Sequence, residues 1–127
     1  MPRMENVRPL LKALLGEVAA FFISIGSLLI FWQKNFILLP VVLMECIVAF
    51  WFWHEPYDIT FFIVISVFGT VAECLFVSSG IWQYSNPTFY GIPLWFPLAF
   101  GTTALIGQRL ALTLTKVWET LVTQVCP

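Results

Sequence analysis

Four long apolar runs, parted only by short polar breaks, decide what this chain can become. They cover about 10–32, 36–53, 59–82 and 92–112, and the breaks are Gln33-Lys34-Asn35, His54 to Asp58 and Gln83 to Gly91. A helix needs roughly 20 apolar residues to cross a bilayer, so a chain of 127 residues holds four such spans and little else. In lipid every backbone N–H and C=O needs an internal partner, and runs this long joined by breaks this short do not suit a barrel. The expected fold is all-α: an integral membrane antiparallel four-helix bundle, forming one domain over 1–127. Composition points the same way. With 60% hydrophobic and only 10% charged residues, the chain lacks the polar groups to cover a water-soluble globule. A soluble enzyme, a nucleic-acid binder and a disordered tail are thereby excluded.

The N-terminal stretch carries Arg3, Arg8 and Lys12 before its apolar run, as a signal peptide does. That run, however, reaches Trp32 and contains Glu17, longer than the roughly 7–15 residues of a signal core. It reads as a retained first span. The tail, 113–127, has Leu110, Leu114, Val117, Trp118 and Leu121 on one helical face. It either lies in the interface as a C-terminal amphipathic helix or extends the fourth span. Placing the N-terminus inside puts Arg3, Arg8, Lys12, Arg109 and Lys116 on the inner side and Lys34 alone on the outer. The excess of inner cations predicts both termini in the cytoplasm, in a bacterial inner membrane or its equivalent. Trp32, Trp53, Trp82, Tyr57, Tyr84, Tyr90 and Trp95 sit near the span ends, where aromatic belts form.

Three acids lie inside the apolar runs: Glu17, Glu45 and Glu73. Ionisable groups within a span are costly and usually face the protein interior. At the helical rise, Glu17 and Glu45 are roughly 10 and 12 Å deep, and the long side chain of Arg109 reaches toward the same level. Glu17, Glu45 and Arg109, with Gln108 adding hydrogen bonds, are therefore expected to form one polar cluster that pins helices, passes protons or binds a ligand. Glu73 is deeper, roughly 21 Å from the inner end, with no cation at its level. It shares a face with Gly69, Phe76 and Gly80, which points it at another helix, where a protonated carboxyl would bond Thr102 or Thr103. Pro93 suits the first turn of the last span, and Pro97 with Gly101 suggests a local bend. Cys46, Cys74 and Cys126 have no metal-site, redox-pair or disulfide spacing, and no metal ligand set is expected. No hydrolase, metalloprotease or nucleotide motif occurs.

The segment from Glu73 to Gly101, ECLFVSSGIWQYSNPTFYGIPLWFPLAFG, resembles a segment of membrane proteins of carotenoid biosynthesis, the carotenoid hydratase-like ones included. The matching positions are Glu73, Gly80, Trp82, Tyr84, Gly91, Pro93, Leu94 and Pro97. The Pro-x-Glu motif of the related heterodimeric lycopene cyclases is missing. The resemblance implies an isoprenoid-type ligand, with Glu73 as an acid beside a kinked fourth helix.

The leading functional expectation is an accessory or assembly subunit that packs against a larger membrane complex, lipid or pigment. The alternatives are an enzyme or carrier acting on an isoprenoid or carotenoid-type molecule, and a small transporter with Glu17, Glu45 and Arg109 along its path. The expected partners are membrane lipid and other membrane subunits or further copies of the chain, with no nucleic acid. No cofactor is identifiable beyond a bound lipid or carotenoid.

Overall fold

Each apolar run satisfies its own backbone by coiling into a helix. The four helices of the computed structural model are α1 (Met4–Phe31), α2 (Asn35–Phe52), α3 (Pro56–Ser78) and α4 (Phe96–Val125). The structure describes residues 4–125; Arg3 and Cys126 lie outside them. Among the described residues there is no strand, only an isolated bridge between Phe89 and Ile92.

The helix ends have local causes. Lys34 N–H closes the first turn on Phe31 O at 2.8 Å. Pro56 occupies the first position of α3, where a missing N–H costs nothing, and Glu55 N–H donates to Asp58 Oδ2 at 3.0 Å. α3 stops at Ser78, short of the expected Trp82. Gly80, at φ +79, takes the left-handed conformation that ends helices, and Ile81 N–H reaches back to Phe76 O at 3.1 Å. α4 begins at Phe96 rather than Ile92, because Ile92 pairs with Phe89 across a tight turn. From there α4 runs without a break to Val125. The C-terminal stretch therefore extends the fourth helix and is not a separate interfacial one.

α4 is the hub. It packs against α1, α2 and α3, while α1 also packs against α2. α2 and α3 meet through Phe50 and Phe62, whose ring centroids are 4.8 Å apart. The α3 face toward α4 reads Asp58, Phe62, Ser66 and Gly69, the three-and-four spacing of one helical stripe. Gly101 sits where α3 and α4 pack closely: a Cβ there would overlap Ser66 Oγ, and one on Gly69 would overlap the Phe100 ring. Gly101 thus serves close packing rather than the expected bend. Pro97 is the second residue of α4, where it is harmless.

Three helices, α1 to α3, are long and apolar enough to cross a membrane. α4 is long enough but less apolar, broken by Gln108, Arg109 and several threonines. It is also the helix with the most buried residues, among them Thr102, Leu105 and Ile106. A helix enclosed by three others can carry polar groups that find protein partners. The fourth expected span, over about 92–112, falls on α4, which is not among the three helices apolar enough to cross a membrane.

Candidate functional site

Asp58 is fully buried. By sequence it falls in the break before the third span, where no role is expected of it. Arg109 Nε donates to its Oδ1 at 2.9 Å, Arg109 Nη2 to its Oδ2, and Gln108 Nε2 to its Oδ1 at 3.4 Å. The guanidinium also lies over the Tyr57 ring, 5.4 Å from its centroid. The signal for Asp58 was present: a proline followed two residues later by an acid is a helix start, and it places Asp58 on the stripe that faces α4.

That pairing breaks up the expected cluster of Glu17, Glu45, Gln108 and Arg109. Arg109 and Gln108 are held by Asp58. Glu17 instead accepts from Thr113 Oγ1 at 2.7 Å, across α1 and α4. Glu45 accepts from Ser27 Oγ at 2.6 Å, across α2 and α1. The two glutamates do converge, on a cavity of about 480 Å³ between α1, α2 and α4. Its polar lining includes Ser24 and Thr102, and its walls are small or apolar, Gly16, Ala20 and Ile106 among them. Glu17 is only 4% exposed, and its Oε2 has no hydrogen-bond partner among the described residues. Buried polar atoms in folded proteins are almost always paired, so this oxygen is an exception, on a residue that lines the cavity.

Glu73 takes other partners than those expected. Its Oε1 accepts from Trp82 Nε1 at 2.6 Å and from Tyr84 OH at 2.5 Å. Thr102 and Thr103 turn back into their own helix, donating to Leu98 O at 2.7 Å and Ala99 O at 2.8 Å. Ending α3 at Gly80 is what lets Trp82 and Tyr84 swing onto Glu73. Burial, then the Glu73 hydrogen bond, then its charge push the Tyr84 phenol above the usual tyrosine range, so it remains a donor. The Trp82 ring also packs on Phe76, with centroids 5.2 Å apart. Glu73 anchors the loop.

A third network joins Asn35, at the start of α2, to Asn86 in the break from Gln83 to Gly91; neither asparagine is among the expected site residues. Asn35 Nδ2 donates to Asn86 O at 2.8 Å, while Asn35 Oδ1 accepts from Asn86 Nδ2 at 2.6 Å and from Trp95 Nε1 at 2.9 Å. Asn86 Nδ2 also donates to Trp32 O at 2.6 Å. A buried indole N–H needs an acceptor, and Trp95 could have prompted the search for one. Pro93 is fully buried beneath this loop and Pro97 partly so.

The fold and these clusters define an all-helical bundle organised around α4, with three helices long and apolar enough to cross a membrane. Comparison with family models, with curated protein sequences and with solved structures gives no match for the chain.

Proposed function

We propose that the protein is a small integral membrane binding protein, an accessory subunit that holds an apolar molecule in the cavity between α1, α2 and α4. The single observation behind this reading is the cavity itself: apolar walls, two acids, and a buried carboxylate oxygen without a partner. Ligand sites are concave and mostly apolar, with a few polar groups that orient the guest. The outer helices support the membrane setting, since large apolar side chains such as Phe36, Trp51 and Phe68 are exposed and would meet lipid or partner helices. In this reading both chain ends lie in the cytoplasm of a bacterial inner membrane. Arg8, Lys12 and Lys116 lie toward the ends of α1 and α4 that meet at Glu17 and Thr113, while Lys34 lies at the opposite end, beside the Asn35 network. The enzyme alternative, with Glu73 as an acid, has less support because Glu73 Oε1 already accepts two short hydrogen bonds.

The test is gentle purification in mild detergent followed by mass spectrometry of bound lipids and co-purifying chains. The expected result is an apolar compound in fixed ratio to the chain, lost in Gly16→Leu. A Cβ on Gly16 meets nothing within 4 Å, so leucine would fill the cavity without forcing the backbone. A ligand-free monomer from the unaltered chain would overturn the proposal.

A further inference from the structure

We infer that the cavity between α1, α2 and α4 selects a lipophilic cation: an ammonium, phosphonium or similar positive centre carrying apolar groups. The inference rests on the binding reading above and adds the charge of the guest.

The argument is one of charge balance. Two carboxyl groups, Glu17 and Glu45, line one cavity, and among the described residues no lysine or arginine lines it. The charged groups facing Glu17 from neighbouring elements are Arg109 and Lys116 on α4 and Glu45 on α2. Arg109 is committed to Asp58 through both of its hydrogen-bonded nitrogens. Lys116, one turn past Thr113 on α4, is exposed and makes no ion pair with Glu17 among the described residues. A buried carboxylate without a close counter-charge is costly. Glu17 Oε1 and Glu45 Oε1 each take one neutral hydroxyl hydrogen bond, from Thr113 and Ser27, and Glu17 Oε2 takes none. A cation placed between them would supply what the bundle itself withholds. The remaining walls fix the rest of the guest: Ala20, Ile23, Val48, Phe52 and Ile106 offer surface for apolar groups and no hydrogen bonds. An inorganic cation would leave those walls unfilled and its own hydration shell unreplaced. A lipophilic organic cation satisfies both demands, and an anion of the same shape meets only repulsion.

Shape-matched probes of different charge isolate this claim. Binding of tetraphenylphosphonium, tetraphenylborate and neutral tetraphenylsilane is measured on the purified full chain in detergent, with empty micelles subtracted. The expected result is saturable binding of tetraphenylphosphonium at one site per chain, at least ten-fold tighter than either other probe. Glu17→Gln and Glu45→Gln should each weaken it by at least ten-fold. Gly16→Leu should remove it while the circular dichroism spectrum and gel-filtration position stay unchanged. Equal binding of all three probes, lost in Gly16→Leu, would overturn the charge selectivity and leave the cavity reading standing. No saturable binding of any probe would overturn both. A glutamine variant that folds and binds the cation as the parent chain does would also defeat the inference.

Discussion

Glu73 and Glu17 are both acids on apolar helices, and the molecule treats them oppositely. At the loop end, Glu73 accepts from Trp82 and Tyr84, and next to it Asn35, Asn86 and Trp95 form a closed exchange of hydrogen bonds. In the opposite half, Glu17 has one oxygen served by Thr113 and one left alone beside a cavity. A polar network that closes on itself holds structure together. One that stays open has a vacancy in its chemistry, and evolution usually keeps such a cost only where a function uses it. The contrast is between an acid that ties down a loop through one oxygen, Glu73 Oε1, and an acid whose second oxygen, Glu17 Oε2, is buried without a partner among the described residues.

The largest effect should come from the one fully paired acid of the Glu17 half. Asp58→Ala leaves the Arg109 guanidinium in the bundle without its partner and should cost about 3–5 kcal/mol, read from unfolding in mixed micelles. Replacing both partners, Asp58→Leu with Arg109→Met, should recover most of that loss. Next in size is the loop end: Asn35→Leu strands the Trp95 N–H and the Asn86 amide and should cost about 2–3 kcal/mol. Glu17→Leu should go the other way. It removes an acid with an unmatched oxygen and should leave stability unchanged or raise it by about 1–2 kcal/mol, even as cation binding disappears. A loss as large as that of Asn35→Leu would mean the two halves do not differ as described. The smallest effect lies at Tyr90, which is 85% exposed and holds φ +46, a left-handed conformation that asparagine tolerates better. Tyr90→Asn should stabilise the loop by about 0.5–1 kcal/mol, visible as slower hydrogen exchange at Phe89 and Ile92.

Much of the helical architecture could be read from the apolar runs, because period and length alone demand helices. The end of α3 could not: it depends on Gly80 outweighing the apolar Ile81 and Trp82 that follow it. Nor could the side-chain partners. Depth along a helix gives level but not azimuth, so Glu17, Glu45 and Arg109 could be placed at one height without revealing that Arg109 faces α3. Asp58 escaped notice because an acid beside a proline looks like a loop until the helix start is placed two residues earlier. Glu73 was expected to meet a neighbouring helix, but its partners come from a loop whose path no periodicity encodes. The cavity could not be foreseen at all, since it arises from small residues on α1 and α2 that meet only in the packed bundle.

The most direct test of the central claim compares the two acids in one reaction. A membrane-permeant hydrophobic carbodiimide attacks carboxyl groups that an apolar molecule can reach, and peptide mass mapping locates the adduct. Glu17 and Glu45 should be modified, tetraphenylphosphonium should protect them, and Glu73, whose Oε1 is held by Trp82 and Tyr84 outside the cavity, should gain no protection from the cation and react more slowly than Glu17. Modification of Glu73 as fast as Glu17, or no protection by the cation, would contradict the account.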